Sequence, residues 1–216
     1  FPTRRSSDLP VIQSAGSEID AEEVANIRSM TAAQVIQQTR YQRIDLIAAD
    51  PNLLDINLAI LKNKVGRQDN ILKEALKSVR GKYDVCVVDN PPDSNIPVLN
   101  GLEIIDDVIA VTLPNRFSLN GIEQLEQEVA NYNSILGLNI KIRGVLVNQF
   151  ASTDSCYRIV QELKTKGYRI FPPIKGGRPT QNWLDRVINE QKSIYELSPR
   201  SGFAKDLMRF IEDLVR

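Results

Sequence analysis

Residues 82–93 read KYDVCVVDNPPD, and this stretch decides the fold. Its centre, residues 85–88, is a short uninterrupted apolar run, which is typical of a strand buried on both faces of a parallel sheet. Asp89 ends the run, and the two prolines at 91 and 92 then prevent further ladder hydrogen bonds. We therefore predict a buried strand with a carboxylate at its carboxyl end, at the edge where open α/β sheets bind ligands.

Asp89 has two interpretations. A hydrophobic strand that ends in Asp is how phosphate-transferring ATPases hold the shell of a nucleotide-bound Mg²⁺. An Asp that follows a strand can also cap the next turn with its own side chain. The stretch by itself leaves both interpretations open.

Composition limits the classes of function. The 216 residues fit one domain, and 42% apolar residues are ample for one core. The 27 basic and 27 acidic residues balance, so the charge of the whole chain indicates no partner. Histidine is absent, which excludes a Ser-His-Asp or Cys-His mechanism within this chain. The two cysteines have no metal-binding spacing, and the sequence has no transmembrane run, so we expect a cytoplasmic protein without a membrane anchor.

The first nine residues, FPTRRSSDL, look foreign to the rest of the chain. They read as the translation of a common sequencing-library adapter. We therefore expect residues 1–9 to be a foreign tail and residues 10–216 to be a single domain, part of a longer protein. A natural polar tail is the alternative.

Helix-like and strand-like stretches alternate along the chain. Thr31 and Ser118 are suited to cap the helices that follow them. The alternation predicts an α/β fold, a doubly wound and mostly parallel sheet flanked by helices. Besides 85–88, we predict strands at 44–49, 108–113, 142–147 and 168–171, a loop at 172–179, and helices at 20–27, 31–39, 53–64, 70–80, 96–105, 118–135, 154–166, 183–190 and 202–215.

Polar residues follow three of the predicted strands. Asp89, the turn at 114–116 and Asn148 each come directly after an apolar run. Because parallel strands share one carboxyl edge, these residues predict a binding crevice there. The carboxamide of Asn148 offers both a donor and an acceptor, which suits an adenine. The alternative is that Asn148 bonds the backbone of its own turn.

Together these residues resemble the ParA/Soj family of chromosome- and plasmid-partitioning ATPases, from about residue 31 to the last residue. The YD at 83–84 followed by VDNPP at 88–92 resembles the family's Tyr-Asp and hydrophobic-Asp-x-Pro-Pro pattern. GVLVN at 144–148 matches the family's next strand, and LIAAD at 46–50 resembles its Leu-Ile-Pro-Ala-Asn. The Asp-x-Pro-Pro strand is the specific part of the resemblance.

The resemblance implies a P-loop NTPase fold, but the family's phosphate loop, Lys-Gly-Gly-x-Gly-Lys-Thr, is absent from these 216 residues. The adapter-like start indicates truncation as the reason, and we expect the chain by itself to be inactive. The implied protein binds ATP and Mg²⁺, forms a homodimer on the nucleotide, binds duplex DNA non-specifically at the nucleoid, and hydrolyses ATP when a ParB-like partner stimulates it. The implied nucleotide site comprises Asp89, which orders the Mg²⁺ shell, together with Pro91 and Asn148.

A basic stretch at residues 158–178 is the candidate DNA contact. It contains six basic residues and one acid, Glu162, in a chain whose net charge is zero. Such a local excess could bind DNA phosphates, although an ordinary solvated surface is the alternative. The DNA-binding candidates are Arg158, Lys164, Lys166, Lys175 and Arg178.

Two rival functions remain. A MinD-like membrane-cycling ATPase would place the amphipathic helix at 202–215 on a membrane, but membrane-surface helices favour a basic polar face and the charges here balance. A protein of the same fold without a phosphate loop would be a non-enzymatic interaction module. The sequence upstream of Pro10 separates the second rival from the ATPase.

Overall fold

The computed structural model describes residues 21–49, 53–63, 67–90 and 96–216 of the chain. The chain divides into two units, residues 1–105 and 106–216. Each unit has a buried core of its own, mainly helical in the first unit and built on a parallel sheet in the second.

The first unit is organised around a small apolar core formed by Val24, Ala59, Ile60 and Ile96. The helices predicted at 20–27, 53–64 and 96–105 supply all four residues. The elements of this unit, in chain order, are α1 (Ala21–Ser29), α2 (Ala32–Val35), β1 (Gln37–Gln38), β2 (Asp45–Leu46), α3 (Leu53–Asn63), α4 (Ile71–Leu76), a 3-10 helix (Lys77–Val79) and α5 (Ile96–Leu102).

The helix predicted at 31–39 and the strand predicted at 44–49 are both much shorter in the structure. Thr31 precedes the helix as expected, but the chain leaves the helical conformation at Ile36 and enters a hairpin in which β1 pairs antiparallel with β2. Thr39 stabilises the turn, because its hydroxyl donates to the carbonyl of Ile44 at 2.6 Å. The local hairpin satisfies these backbone groups, so 44–49 forms no parallel strand.

The prediction of a buried strand at residues 85–88 is wrong for this structure. Residues 85–90 form no strand, and Val85 and Val87 are 72% and 88% exposed. A strand buried on both faces needs neighbours on both sides and ladder hydrogen bonds for its peptide groups. Among the described residues no strand pairs with this segment.

A polar network joins the loop before α4 to α5. The side chain of Glu103 is 3% exposed and accepts hydrogen bonds from Arg67 at 2.7 Å and Lys73 at 2.8 Å. The buried Asn100 accepts from the backbone N–H of Leu72 at 3.0 Å and donates to the carbonyl of Gln68 at 2.7 Å. These bonds satisfy polar groups whose burial would otherwise be unfavourable.

The second unit contains the parallel sheet that the sequence predicts. β3 and β4 pair in parallel from Asp107 opposite Lys141 to Thr112 opposite Val147, with one irregularity between Val108 and Ile109. The elements of this unit are β3 (Asp107–Thr112), α6 (Phe117–Leu136), β4 (Lys141–Val147), α7 (Asp154–Thr165), α8 (Arg178–Glu190), α9 (Ile194–Leu197) and α10 (Gly202–Leu214).

A further extended segment runs parallel to β4 on the side away from β3. It was predicted as a strand at 168–171, but only Ile170 forms a β-bridge there, opposite Val145. The backbone bonds nevertheless continue along β4, because Phe171 donates to Val145 at 3.0 Å and Ile174 donates to Val147 at 3.0 Å. Gly144 makes this approach possible, since a Cβ at 144 would lie 2.7 Å from the ring of Phe171.

The last helix, α10, packs its apolar side on the sheet of the second unit. Phe203, Leu207, Phe210 and Leu214 pack against a buried cluster that includes Phe171. Arginines from the sheet cap its end, where Arg143 donates to the carbonyl of Leu214 at 2.6 Å and Arg169 donates to that of Asp213 at 2.7 Å. This helix therefore docks on the core of the second unit.

The helix predicted at 183–190 begins earlier, at Arg178, within the predicted loop at 172–179. Gly177 adopts φ 109°, and Pro179 occupies the first turn, where a missing N–H costs nothing. None of the helices in the described ranges is long and apolar enough to span a bilayer.

Candidate functional site

A groove opens at the carboxyl ends of β3 and β4 in the second unit. It has a volume of about 350 Å³ and is lined by Thr112 and Leu113 of the first strand end, by Asn115 and Ser118 of the following turn, and by Asn148 of the second strand end. Phe117, which is 82% exposed, stands at its rim. The structure thus brings together the 114–116 turn and Asn148, as the sequence predicts.

The turn after β3 is fixed by two polar side chains. The hydroxyl of Ser118 donates to the carbonyl of Leu113 and accepts from the N–H of Asn115 at 3.2 Å. The side-chain oxygen of Asn115 accepts from the N–H of Phe117 at 3.0 Å. The N-cap residue of α6 is Arg116, and Asn115 before it accepts from the first N–H of the helix, so the predicted capping role of Ser118 is wrong. Ser118 is buried inside the helix start, where it holds the turn closed.

Asn148 follows β4 with its backbone held in the sheet. Its N–H donates to the carbonyl of Thr112 at 2.8 Å, so the ladder between the strands continues to this residue. Its side-chain oxygen accepts from the N–H of Gln149 at 2.9 Å. The residue therefore lines the groove and also bonds its own turn, so the two interpretations of Asn148 are compatible.

Asp89 lies in the first unit, exposed, in the segment without secondary structure that follows Asp84. Its neighbour Asn90 approaches α5, since a Cβ at Gly101 would lie 2.9 Å from the Asn90 side-chain oxygen. Pro91 lies outside the described residues. Over the described ranges no three His, Cys, Asp or Glu side chains form a metal-ligand group. The roles of Asp89 and Pro91 stay predictions.

The basic stretch at 158–178 is partly engaged within the second unit. Lys166 forms an ion pair with Glu123, and this hydrogen bond raises the pKa of the Lys166 ammonium. Arg169 lies 3.2 Å from the carboxylate of Asp213. Arg158 and Lys164 are exposed on α7, about 120° apart around the helix at 100° per residue.

Lys175 is also exposed. Arg178 is the first residue of α8, and the side chain of Arg178 lies outside the described part of the chain. Two of the six cations therefore have acidic partners from α6 and α10 that sequence order did not reveal. The contact with DNA stays a prediction.

Gln149 follows Asn148 directly, Gly176 lies against Gln149, and neither is predicted from the sequence as a site residue. Gln149 adopts φ 53°. A Cβ at position 176 would lie 2.8 Å from the Cα of Gln149. In the sequence Gly176 reads only as a loop glycine. No local signal shows that the segment of Gly176 returns to Gln149 across 27 residues of chain.

Comparison with protein families and curated proteins gives consistent matches. A family model described as an AAA domain matches residues 11–142. The virulence plasmid ParA family protein pGP5-D of Chlamydia psittaci is 23% identical over 184 residues, 84% of this chain and 67% of the relative. The cell division protein PomZ of Myxococcus xanthus is 24% identical over 190 residues, 88% and 58% of the two chains. The sporulation initiation inhibitor Soj of Bacillus subtilis is 27% identical over 131 residues, 60% and 51%.

Solved structures resemble the chain in fold. A putative plasmid partition protein of Borrelia burgdorferi, bound to AMPPNP, superposes with a TM-score of 0.70 at 18% identity and covers 92% of this chain and 74% of its own. A cobyrinic acid a,c-diamide synthase of Mycobacterium smegmatis, with an ATP analogue and magnesium, gives a TM-score of 0.64 at 21% identity, with 87% and 77% covered. The fold is therefore the predicted α/β fold of P-loop NTPases. The chain spans between about half and two thirds of the curated relatives named above.

Proposed function

We propose a function from the premise that this chain belongs to the AAA domain family and is of the ParA type: the whole protein is an ATPase that segregates or positions chromosome or plasmid DNA. The groove is the observation that supports this most directly. It places two asparagine side chains, Asn115 and Asn148, at the carboxyl edge of a parallel sheet, where α/β folds bind their ligands.

The ligand that we propose for this groove is the base of ATP. Its volume of about 350 Å³ lies within the usual range for small-molecule sites, and its apolar and amide lining suits a purine. When bound, ATP and Mg²⁺ would supply the transferable phosphoryl group and the charge that stabilises its transfer. Asn148 would bind the base, and Asp89 together with the Pro91 turn would hold the hydration shell of the ion.

The partners follow from the ParA type. We propose that the whole protein dimerises on ATP and holds duplex DNA without sequence preference, in the cytoplasm at the nucleoid. A ParB-like centromere-binding protein would stimulate hydrolysis. The basic stretch supplies the proposed DNA contact. Lys166 and Arg169 are its weaker members, because they pair with Glu123 and Asp213. The proposed DNA-binding residues are Arg158, Lys164, Lys166, Lys175 and Arg178.

The packing of α10 weighs against the membrane-cycling alternative. A membrane-surface helix must present its apolar side to lipid. Phe203, Leu207, Phe210 and Leu214 instead pack against the core of the second unit. Releasing this helix would expose that core, so membrane binding would cost the protein stability.

The test uses the complete reading frame. We expect it to encode a glycine-rich phosphate loop upstream of Pro10, and we expect the encoded protein to hydrolyse ATP. Asp89→Ala should lower its turnover at least about tenfold, because an unordered Mg²⁺ shell loses electrostatic stabilisation of the transferred phosphoryl group. Asp84→Ala, which removes another exposed carboxylate of the same segment, is the matched control.

The 216-residue chain should release no phosphate above a buffer blank, because it lacks the lysine and backbone amides of the phosphate loop. An in-frame start codon beside Pro10 with no glycine-rich loop before it would reject the ATPase. The interaction module would then be the remaining function.

A further inference from the structure

The residue after Asn148 has an unusual backbone conformation. Gln149 adopts φ 53°, in the left-handed region that L-residues with a Cβ seldom occupy. Such a conformation persists when its surroundings hold it, and it is often found at ligand sites. Asn148, directly before it, lines the groove at the carboxyl edge of the sheet.

Gly176 lies directly against this turn. A Cβ at 176 would lie 2.8 Å from Cα of Gln149, which is closer than Cβ atoms approach other atoms in proteins, and 3.0 Å from the carbonyl carbon of Gln149. The segment cannot withdraw without losing backbone bonds, because Phe150 donates to Ile174 at 2.9 Å and Gly176 donates to Phe150 at 3.0 Å. The left-handed turn and a glycine at 176 are therefore required together.

Asp206 holds the same segment from its other side. The N–H of Lys175 points away from β4 and donates to Oδ2 of Asp206 at 3.2 Å. Asp206 is 4% exposed on α10, and its second oxygen lies 3.6 Å from a guanidinium nitrogen of Arg209. Since both faces of the 174–176 backbone are hydrogen-bonded, Gly176 is a fixed support for Gln149.

This support determines which end of the Asn148 carboxamide faces outward. The N–H of Gln149 points at Oδ1 of Asn148, 2.9 Å away. An N–H can pair only with the acceptor end of an amide, so this bond assigns the oxygen. Among the described residues, none accepts a hydrogen bond from the Nδ2 group of Asn148. Its two N–H donors are therefore available to a ligand.

We infer that Gly176 and Gln149 are positioning residues for Asn148. The turn that Gly176 permits at Gln149 directs a backbone N–H at Oδ1 of Asn148, and Nδ2 becomes the hydrogen-bond donor for the base of a bound purine nucleotide. The base contact rests on the proposed function. The orientation of the carboxamide does not, since the hydrogen bonds of the chain alone produce it.

The first experiment measures this orientation without a ligand. In the 216-residue chain, hydrogen exchange of the Gln149 N–H should be slowed by its bond to Asn148. Asn148→Ala and Gly176→Ala should both accelerate that exchange. Gly202→Ala is the matched control, because a Cβ at Gly202 meets nothing within 4 Å, and it should leave the exchange unchanged. Unchanged exchange in Gly176→Ala would overturn the supporting role of Gly176.

The second experiment tests the donor. Asn148→Asp keeps the size of the side chain and an oxygen for the Gln149 N–H, but it removes both donors. The new carboxylate could also repel the phosphates of the ligand. Nuclear magnetic resonance titrations with ATP–Mg²⁺ measure both effects, and titrations with base-free tripolyphosphate–Mg²⁺ measure the repulsion alone. We expect ATP binding to weaken by about three- to tenfold beyond any change for tripolyphosphate, which is the usual effect of one hydrogen bond.

Each outcome decides one part of the inference. If Asn148→Asp binds ATP as tightly as the unmodified chain does, Nδ2 of Asn148 is not the donor. This result does not depend on whether Gly176→Ala folds. If the unmodified chain binds ATP no better than tripolyphosphate, the groove is not a base site and the proposed function loses its main support. Hydrogen exchange at Gln149 still decides the orientation of Asn148 in that case.

Discussion

Glu103 is the most deeply buried carboxylate for which the structure shows two cationic partners. Its side chain is 3% exposed, while the side chains of Arg67 and Lys73 are 60% and 50% exposed. The hydrogen bond from Arg67 to Asp69 also keeps the pKa of the Asp69 carboxyl below its usual range. The stability of this network therefore depends on the charge of Glu103, the buried residue to which both cations bind.

We expect Glu103→Gln to lower the free energy of unfolding by about 1–3 kcal/mol, because it removes the negative charge that both hydrogen bonds depend on and replaces one of the two buried acceptor oxygens with a donor. The exposed cations can be hydrated, which keeps the effect below that of a fully buried pair. Glu74→Gln, in an exposed pair with Lys77, should cost about 0–0.5 kcal/mol and is the control. Urea denaturation measures both, and equal effects would contradict the structural role of Glu103.

At the scale of elements, α10 is stabilised by its apolar side and by the arginines at its end. Phe210 meets Phe171 edge to face, with ring centroids 5.3 Å apart, and it packs on the cluster around Leu146 and Ile174. The carbonyls of Asp213 and Leu214 are bonded by Arg169 and Arg143. This helix therefore completes the core of the second unit.

Phe210→Ala should destabilise the second unit by about 2–3 kcal/mol, because it removes a half-buried ring and leaves a cavity beside Phe171. Met208→Ala, on the exposed side of the same helix, is the control and should cost less than about 1 kcal/mol. Thermal unfolding followed by circular dichroism compares them. Similar shifts for both variants would indicate that α10 is not docked in solution as the structure shows.

At the scale of the whole molecule, the balanced charge of the chain hides a local excess of cations at 158–178. Lys166 and Arg169 already face acidic side chains, so we assign the proposed DNA contact to the other four cations of the stretch. For about four neutralised phosphates, log K should fall against log salt with a slope of roughly −3 to −4. This is slightly less steep than six cations would give.

Replacing Lys164, Lys175 and Arg178 with alanine in the whole ATP-bound protein should flatten that slope by about 2–3 and weaken all sequences alike. A triple alanine variant of Lys77, Arg186 and Lys192 removes the same charge elsewhere and is the control. Fluorescence anisotropy with two unrelated duplexes, each at several salt concentrations, gives both slopes. Equal slopes in the two triple variants would identify the basic stretch as an ordinary solvated surface.

The sequence by itself determined the elements whose signals are local. The periodicity of 118–135 and 154–166 predicts α6 and α7 to within one residue at each end, and the apolar runs at 108–113 and 142–147 predict β3 and β4. The Asp-x-Pro-Pro stretch indicated the family, and the position of Asn148 after a buried strand predicted its place in the groove. These features depend on neighbours in the chain, so the chain order contains them.

Only the tertiary structure decided what depends on distant partners. An apolar run such as 85–88 favours a strand, but a strand forms only where another backbone supplies its hydrogen bonds, and no described strand pairs with this one. Glu123 on α6 and Asp213 on α10 form ion pairs with two cations of the basic stretch, and this lowers the positive charge that the stretch can offer to a partner. Gly176 reaches Gln149 through parallel pairing across 27 residues and so fixes the Asn148 amide. Long-range contacts of this kind leave no local pattern, because any glycine in a loop looks the same in sequence.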